Sequence, residues 1–325
     1  MSVLVLYTSI GCMNHDLQHV TYQSSAAEKA EALKFSSGDH LWASQSRLIK
    51  PWGQETYGLA SVFDGDRCLG TTAYTIGPRG QGILSQVFTD PAYRRQGIGR
   101  ITLEATIQAY RQEGALAVYL AAWKPFTREF YQSVGFQLVG RMGERYAYKL
   151  TLDPAGEEEC LFALGQQAEL RSLAADDQGD LSSLFNASPA SIKSYELGCF
   201  TGSHFEGEFY TIRQREDVET IVLDGEETIL GFGTIFPQQR RHQTHCGVLD
   251  VVIHPSYSDR YAEMVEALQA RTPLDQVIAY VIPEDTERCQ VLERLGYRSI
   301  GRVTDGIRIG SEGMDLTMYE KNLNT

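Results

Sequence analysis

Apolar and polar residues alternate, or apolar ones run together, in short stretches at 57–63, 67–76 and 83–89, and this pattern predicts three β-strands. Asp64-Gly65 supplies a hairpin turn between the first two. From 97 to 112 the period changes: Ile98, Ile101, Ala105 and Ala109 recur at helical spacing, and a strand follows at 117–122. A short helix is expected to end at Gly135, where glycine can take the left-handed turn that closes a helix, and a hairpin completes the set. The same elements then return. Strands are expected at about 218–223, 229–236 and 247–253 with Asp224-Gly225 in the turn, followed by a helix at about 259–270, a strand at 277–282, and a short helix ending at Gly296. Antiparallel strands followed by strand, helix and strand predict an α+β fold for each half, a mostly antiparallel mixed sheet flanked by helices.

The chain is therefore read as a repeat. Val134-Gly135-Phe136-Gln137-Leu138-Val139-Gly140-Arg141 is echoed by Leu295-Gly296-Tyr297-Arg298-Ser299-Ile300-Gly301-Arg302, 161 residues on. Phe88-Thr89-Asp90-Pro91-Ala92-Tyr93 is echoed by Val252-Ile253-His254-Pro255-Ser256-Tyr257 at an offset of 164. Two matches in the same order at nearly equal offset argue for duplication. A length of 325 residues suits two domains, expected at 1–152 and 168–325, with a linker at about 153–167 holding the acidic run Glu157-Glu158-Glu159.

Charge and composition narrow the function classes. A formal net charge of −13 argues against a nucleic-acid partner, which needs basic surface, and weakly favours a cationic amine. No apolar run approaches the roughly 18 residues needed to span a bilayer, and the apolar start Met1–Tyr7 has no basic flank, so it is read as structural rather than as a signal. Six scattered cysteines without a Cys-x-x-Cys pair suggest neither disulfides nor zinc, and a cytoplasmic location with reduced thiols is expected. His242-Gln243-Thr244-His245-Cys246 stands alone without a second ligand cluster, and His15 and His19 would share a face only if their segment were helical; no metal site is expected.

Chemistry concentrates at Pro91-Ala92-Tyr93-Arg94-Arg95-Gln96-Gly97-Ile98-Gly99-Arg100, between a strand and the helix it opens. Side-chain-free glycines let backbone N–H groups approach a phosphate, the helix N-terminus adds partial positive charge, and three arginines add full ones. With the strand and Pro-x-Tyr-Arg before it, the segment resembles the Arg/Gln-x-x-Gly-x-Gly/Ala pyrophosphate loop of the GNAT superfamily of acyl-CoA N-acyltransferases. Phe130-Tyr131-Gln132-Ser133-Val134-Gly135-Phe136 is similar to that family's (Leu/Phe)-Tyr-x-x-x-Gly-Phe signature. The two motifs cover about 83–141, and the hairpins extend the match back to about 57.

The resemblance implies acetyl-CoA as co-substrate, its pyrophosphate on Arg94, Arg95, Gln96, Gly97, Ile98, Gly99 and Arg100. Its pantetheine would run as an extra strand beside Gln86, Val87, Phe88 and Thr89. It makes Tyr131 the candidate general acid for the departing thiolate. Two positions depart from the family. Ser85 and Gln86 stand where many relatives carry a carboxylate, so the base is open between a water wire and a carboxylate such as Glu55. Lys124-Pro125-Phe126-Thr127 replaces the usual Asn-x-x-Ala, leaving Lys124 as a further phosphate candidate. The acceptor pocket is expected from the N-terminal helices and the loop Lys50-Pro51-Trp52-Gly53-Gln54-Glu55-Thr56-Tyr57, whose aromatic pair flanks a carboxylate and suits a cation.

In the second copy Ser258, Asp259, Tyr261 and Glu263 fall where Arg94, Arg95, Gly97 and Gly99 stand, and Leu292 falls at Tyr131, so its cofactor site reads as erased. The expected function is acetyl transfer to a primary amine of a small molecule by direct attack in a ternary complex, in a monomer or homodimer. The alternatives are a protein N-acetyltransferase or a non-catalytic acyl-CoA sensor.

Overall fold

The computed structural model describes residues 6–10, 13–122, 127–142, 145–188, 194, 207–239, 242–309 and 312–324. The chain divides into two compact units: Met1–Leu138 with Tyr148–Glu157 and Ala175–Ser182, and Val139–Ala147 with Glu158–Ala174 and Ser183–Thr325. Among the described residues no helix is long and apolar enough to cross a membrane.

The first sheet runs through β1 (Leu6–Ile10), β2 (Met13–Val20), β3 (Thr56–Asp64), β4 (Arg67–Ile76), β5 (Gln81–Thr89), β6 (Ala117–Ala122), β7 (Gln137–Met142) and β8 (Arg145–Thr151). Its order is β1-β2-β3-β4-β5-β6-β8-β7, antiparallel from β1 to β5 and parallel between β5 and β6. His15 and His19 therefore lie on a strand, not a helix.

Helices α1 (Ala26–Leu33) and α2 (Gly38–Ile49) precede β3, α3 (Ile98–Gln112) links β5 to β6, and α4 (Arg128–Gln132) follows β6. Ser25 and Glu28 form a reciprocal capping box that fixes the start of α1, an arrangement worth about 1 kcal/mol. One core cluster joins Ala32 and Leu33 of α1 and Leu48 of α2 to Val20, Tyr57, Leu59 and Ala73. A second joins Ile98 and Ala105 of α3 to Leu17, Ala60, Val62 and Leu69. With helices on both faces, β3 and β4 are buried almost end to end, which is why their sequences read as continuous apolar runs.

The segment Ala175–Ser182 belongs to the first unit through polar contacts. Asp176 accepts from the Gln54 amide at 2.7 Å, Gln178 accepts from Arg47 at 2.6 Å, and Asp180 pairs with Arg79 at 2.7 Å.

The second unit contains α5 (Glu158–Leu161), β9 (Glu169–Arg171), α6 (Gln178–Asn186, whose first residues belong to the first unit), α7 (Gly207–Arg213), β10 (Glu219–Asp224), β11 (Ile229–Pro237) and β12 (Cys246–Ile253). It continues with α8 (Tyr261–Arg271), β13 (Gln276–Val281), α9 (Thr286–Arg294), β14 (Arg298–Ile309) and β15 (Glu312–Asn322). Its sheet order is β9-β10-β11-β12-β13-β15-β14, strand for strand the order of β2-β3-β4-β5-β6-β8-β7. The α+β expectation holds in both units.

The helix ends repeat as well. Gly135 and Gly296 sit at φ +100° and +85°, and each is followed by the bond that wraps a helix terminus, Phe136 N–H to Tyr131 O at 3.2 Å and Tyr297 N–H to Leu292 O at 3.0 Å. The acidic run expected as solvated linker is partly engaged. Glu157 pairs with Lys149 at 3.2 Å, and both oxygens of Glu158 accept from the Ser188 amide at 3.0 Å.

Candidate active site

The site of the first unit begins where two neighbouring strands part. β5 and β6 pair only from Gln81↔Ala117 to Ile83↔Tyr119, yet β5 continues to Thr89 and β6 to Ala122. Beyond Ile83 one edge of β5 is released from the sheet, and the strand passes from buried at 81–84 to half-buried at 85–89. Released backbone N–H and C=O groups must find other partners, so such an edge is a template for an extended ligand.

A bulge helps to part the strands. Thr71 faces Phe88 and Ala73 faces Ser85, so one residue of β4 is opposed by two of β5, Gln86 and Val87. Gln86 takes φ +52°, a left-handed conformation that costs a non-glycine residue about 1–2 kcal/mol. Its side chain is fixed at both ends: Oε1 accepts from the Ser36 hydroxyl, and Nε2 donates to Ser44 Oγ at 2.7 Å, where the Tyr57 hydroxyl also donates at 2.7 Å.

At the far end of β5 the chain makes a turn at Pro91–Tyr93, capped by Asp90. A second left-handed non-glycine residue, Arg95 at φ +62°, lies just beyond. Gly97, at φ +85°, caps α3. Arg100 N–H and Ile101 N–H make the first helical bonds, both to Gly97 O at 3.0 Å, so the amides of Ile98 and Gly99 precede the helical ladder at its positive end.

Arg94, Arg95, Gln96 and Gly97 are all exposed, and Arg100 is exposed in an ion pair with Glu104 at 2.7 Å. Arg94 also donates to Thr89 O at 3.3 Å, tying the loop to the end of β5. Ile98 differs from its neighbours: its side chain is in the core, which leaves only its amide for a ligand. A Cβ added at Gly99 would press on Thr89 Oγ1 at 3.1 Å and lie 3.9 Å from Phe130, which shows how closely α4 approaches this end.

Tyr131 on α4 is buried among aromatic rings, with Phe130, Tyr148 and Phe136 at centroid distances of 5.3, 5.6 and 6.0 Å. Burial, with the neighbouring Tyr148, pushes its phenol up to about 12. It therefore stays protonated through the physiological range and is a hydrogen-bond donor first and an acid second. Val87, Phe88 and Thr89 line the released stretch of β5. Lys124 lies outside the described residues.

Two readings of the acceptor side change. The loop 50–57 does bring Trp52, Glu55 and Tyr57 together, but around a cation the protein supplies itself. The Arg47 guanidinium lies 4.0 Å from the Trp52 ring and 5.3 Å from the Tyr57 ring, and donates to Glu55 Oε1 at 2.7 Å and Oε2 at 3.2 Å. Both side chains of the pair are 1% exposed. Glu55 is thus a buried structural partner, removed from the role of base, and its carboxyl is held above the usual range because burial outweighs the pull of Arg47.

Among the described residues an open space lies instead between the α1–α2 turn and the bulge, a cavity of about 200 Å³. Phe35, Ser36, Ser37 and His40 line it from the helical side. Thr71, Gln86, Val87 and Phe88 line it from the sheet. His40 was not singled out in the sequence, where it is one polar residue in a helical first turn with no motif around it.

In the second unit β12 likewise parts from β13 beyond Leu249↔Ala279, but the other features of the site are lost. β11 and β12 pair without a shift from Gly231↔Ile253 to Pro237↔Gly247, so the bulge is absent, and β12 is buried along its whole length. Tyr261, at the place of Gly97, is buried; Glu263, at the place of Gly99, pairs with Arg260; and Leu292, at the place of Tyr131, is fully buried. Among the described residues no cluster able to hold a metal ion is found.

Residues 26–136 match the model of the acetyltransferase (GNAT) family. No curated protein sequence matches the chain. Among solved structures it is similar to an acetyltransferase of the GNAT family from Streptococcus pneumoniae, at 19% identity and TM-score 0.39 over 48% of this chain and 99% of that one. The Salmonella typhimurium protein yncA, solved with its cofactor acetyl-CoA, gives 14% identity and TM-score 0.40 over 48% and 94%. A ribosomal-protein-S5-alanine acetyltransferase from Vibrio fischeri gives 15% identity and TM-score 0.40 over 49% and 95%.

Proposed function

We propose that the first unit transfers an acetyl group from acetyl-CoA to a primary amine of a small molecule by direct attack in a ternary complex. The observation that carries this reading is the coincidence, at one end of β5, of a strand edge released from the sheet and a helix N-terminus opened by Gly97 and flanked by exposed arginines. An extended ligand carrying a polyanion fits such a site: the pyrophosphate meets the amides of Ile98 and Gly99 and the charges of Arg94, Arg95 and Arg100, while the pantetheine amides pair with the edge at 85–89.

The thioester then lies toward Tyr131, whose hydroxyl donates to the thiolate as the C–S bond breaks. Outright transfer from a phenol at about 12 to a thiolate near 8.5 is uphill by on the order of 5 kcal/mol, so the hydroxyl acts mainly by hydrogen bonding while the charge develops. A cavity of about 200 Å³ favours a small acceptor over a peptide chain. The second unit, with Tyr261 and Glu263 where the glycines would be, binds no acyl-CoA in this reading.

Calorimetric titration of the full chain with acetyl-CoA tests it. One site per chain is expected. Gly97→Glu forces a side chain onto φ +85° and sets a carboxylate at the anion site, and should weaken binding by on the order of 100-fold. Two sites would overturn the erased second unit, and unchanged binding by the variant would show the pyrophosphate misplaced. Binding without thiol release on any amine would favour a sensor of acyl-CoA, a reading to which the absence of a carboxylate at Gln86 lends some weight.

A further inference from the structure

We propose that the side-chain amide of Gln86 is a positioning group: by bonding to the helical pair α1–α2 it holds the bulge of β5, and with it the released edge at 85–89, in the shape that takes an extended acyl-CoA. The inference rests on reading the first unit as an acyl-CoA site and assigns the side chain that keeps this site open.

The backbone supplies the need for such a clamp. Gln86 sits within a strand yet is left-handed at φ +52°, a conformation that glycine alone takes without cost. Left to its own preference the residue relaxes toward extended backbone, and the bend that the extra residue puts into β5 relaxes with it.

The side chain supplies the restraint. Its Oε1 accepts from the hydroxyl of Ser36, 50 residues earlier in the α1–α2 turn, and its Nε2 donates to Ser44 Oγ on α2 at 2.7 Å. Two neutral hydrogen bonds are together of the same size as the cost of one left-handed residue, so they suffice to hold it. Ser44 is itself fixed, being 1% exposed with the Tyr57 hydroxyl at 2.7 Å. Phe35 and Phe88, stacked at 4.1 Å with 24° between their planes, tie the same turn to the same strand two residues further on.

The second unit carries the same fold without the bulge. Asp250 stands there at the place of Gln86, pairs in register with Thr234 and is not left-handed. β12 parts from β13 beyond Leu249↔Ala279 as β5 parts from β6 beyond Ile83↔Tyr119, yet β12 stays buried throughout while β5 is half-buried from Ser85 onward. Parting of the strands is thus common to both units, and the open edge goes with the bulge.

Calorimetric titration of the full chain with acetyl-CoA tests the proposal in Gln86→Ala, Gln86→Gly and Ser44→Ala, each measured below its own melting temperature. Gln86→Ala loses both bonds and keeps the strain, and should weaken binding by about 10–30-fold. Gln86→Gly loses the same bonds but takes φ +52° freely, so it should bind at least about threefold more tightly than Gln86→Ala, the reverse of the order that lost packing gives. Ser44→Ala removes a buried group bonded to Gln86 and Tyr57; it should weaken binding by about 3–10-fold in the wild-type background and leave it unchanged in Gln86→Gly. Wild-type affinity in Gln86→Ala, equal affinity in Gln86→Ala and Gln86→Gly, or a Ser44→Ala loss that persists in full on the Gln86→Gly background would overturn this inference while leaving the acyl-CoA site intact. A wild-type chain that does not bind acetyl-CoA would overturn both.

Discussion

Arg47 is enclosed by Glu55, Gln178, Trp52 and Tyr57, and Arg47→Met tests whether this cluster holds the first unit together or serves a ligand. Both charges of the Arg47–Glu55 pair are 1% exposed, so removing one leaves the other buried without a partner, a loss of about 3–5 kcal/mol. The loss sits at the lower end of that range if Glu55 takes up a proton in the variant, which its raised pKa makes easy. For a unit of this size the same loss lowers the melting temperature by roughly 10 °C. Urea titration followed by circular dichroism, with a thermal scan alongside, measures it. The double variant Arg47→Met with Glu55→Leu removes both charges and should recover much of the stability, because no buried charge is then left unpaired, although Gln178 and the Trp52 amide each lose a bond. A single variant that lost less than about 1 kcal/mol, or a double variant as unstable as the two singles added together, would refute this account. The same protein answers the alternative role: if the loop 50–57 were a substrate cation site blocked by Arg47, the variant would gain affinity for cationic amines, and no gain is expected.

Two further outcomes follow from individual groups. Tyr131→Phe should reduce kcat for thiol release by about 10–150-fold, the worth of a hydrogen bond to a charged group, with acetyl-CoA affinity nearly unchanged; a rate equal to wild type at every pH would remove Tyr131 from the chemistry. His19, whose pKa burial lowers below 6.5, is held neutral beside the Tyr74 hydroxyl at 3.3 Å. The unfolded chain therefore binds this proton more readily, and stability should fall as pH drops below about 6.5, by about 1.4 kcal/mol for each unit until the folded pKa is passed. His19→Gln should flatten that part of the stability–pH curve, and an unchanged curve would count against the assignment.

Much of the first unit's local structure could be read along the chain, because the signals lie within a few residues of each other. Alternating or apolar runs marked β3, β4 and β5, helical spacing marked α3, and Gly135 and Gly296 marked helix ends that both carry the same wrapping bond. The duplication, visible as repeated segments, reappears as the same strand order in two sheets. The glycine-opened start of α3 and its arginines were legible for the same reason: the loop, the helix and the charges occupy ten consecutive positions.

Tertiary structure decided what fills the spaces between elements. Trp52, Glu55 and Tyr57 looked ready to receive a cation, and only the fold shows Arg47 already there, with Gln178 reaching it from 131 residues away. The bulge at Gln86 depends on how many residues of β4 oppose it, and the opening beside β5 depends on where β6 stops pairing; neither number is written in β5 itself. That His40 and Gln86 line one cavity is likewise not written in either segment. Spacing along one strand or helix fixes which residues share a face, because backbone periodicity is local. Which group from elsewhere comes to meet that face is settled only when burial and charge are balanced over the whole folded unit.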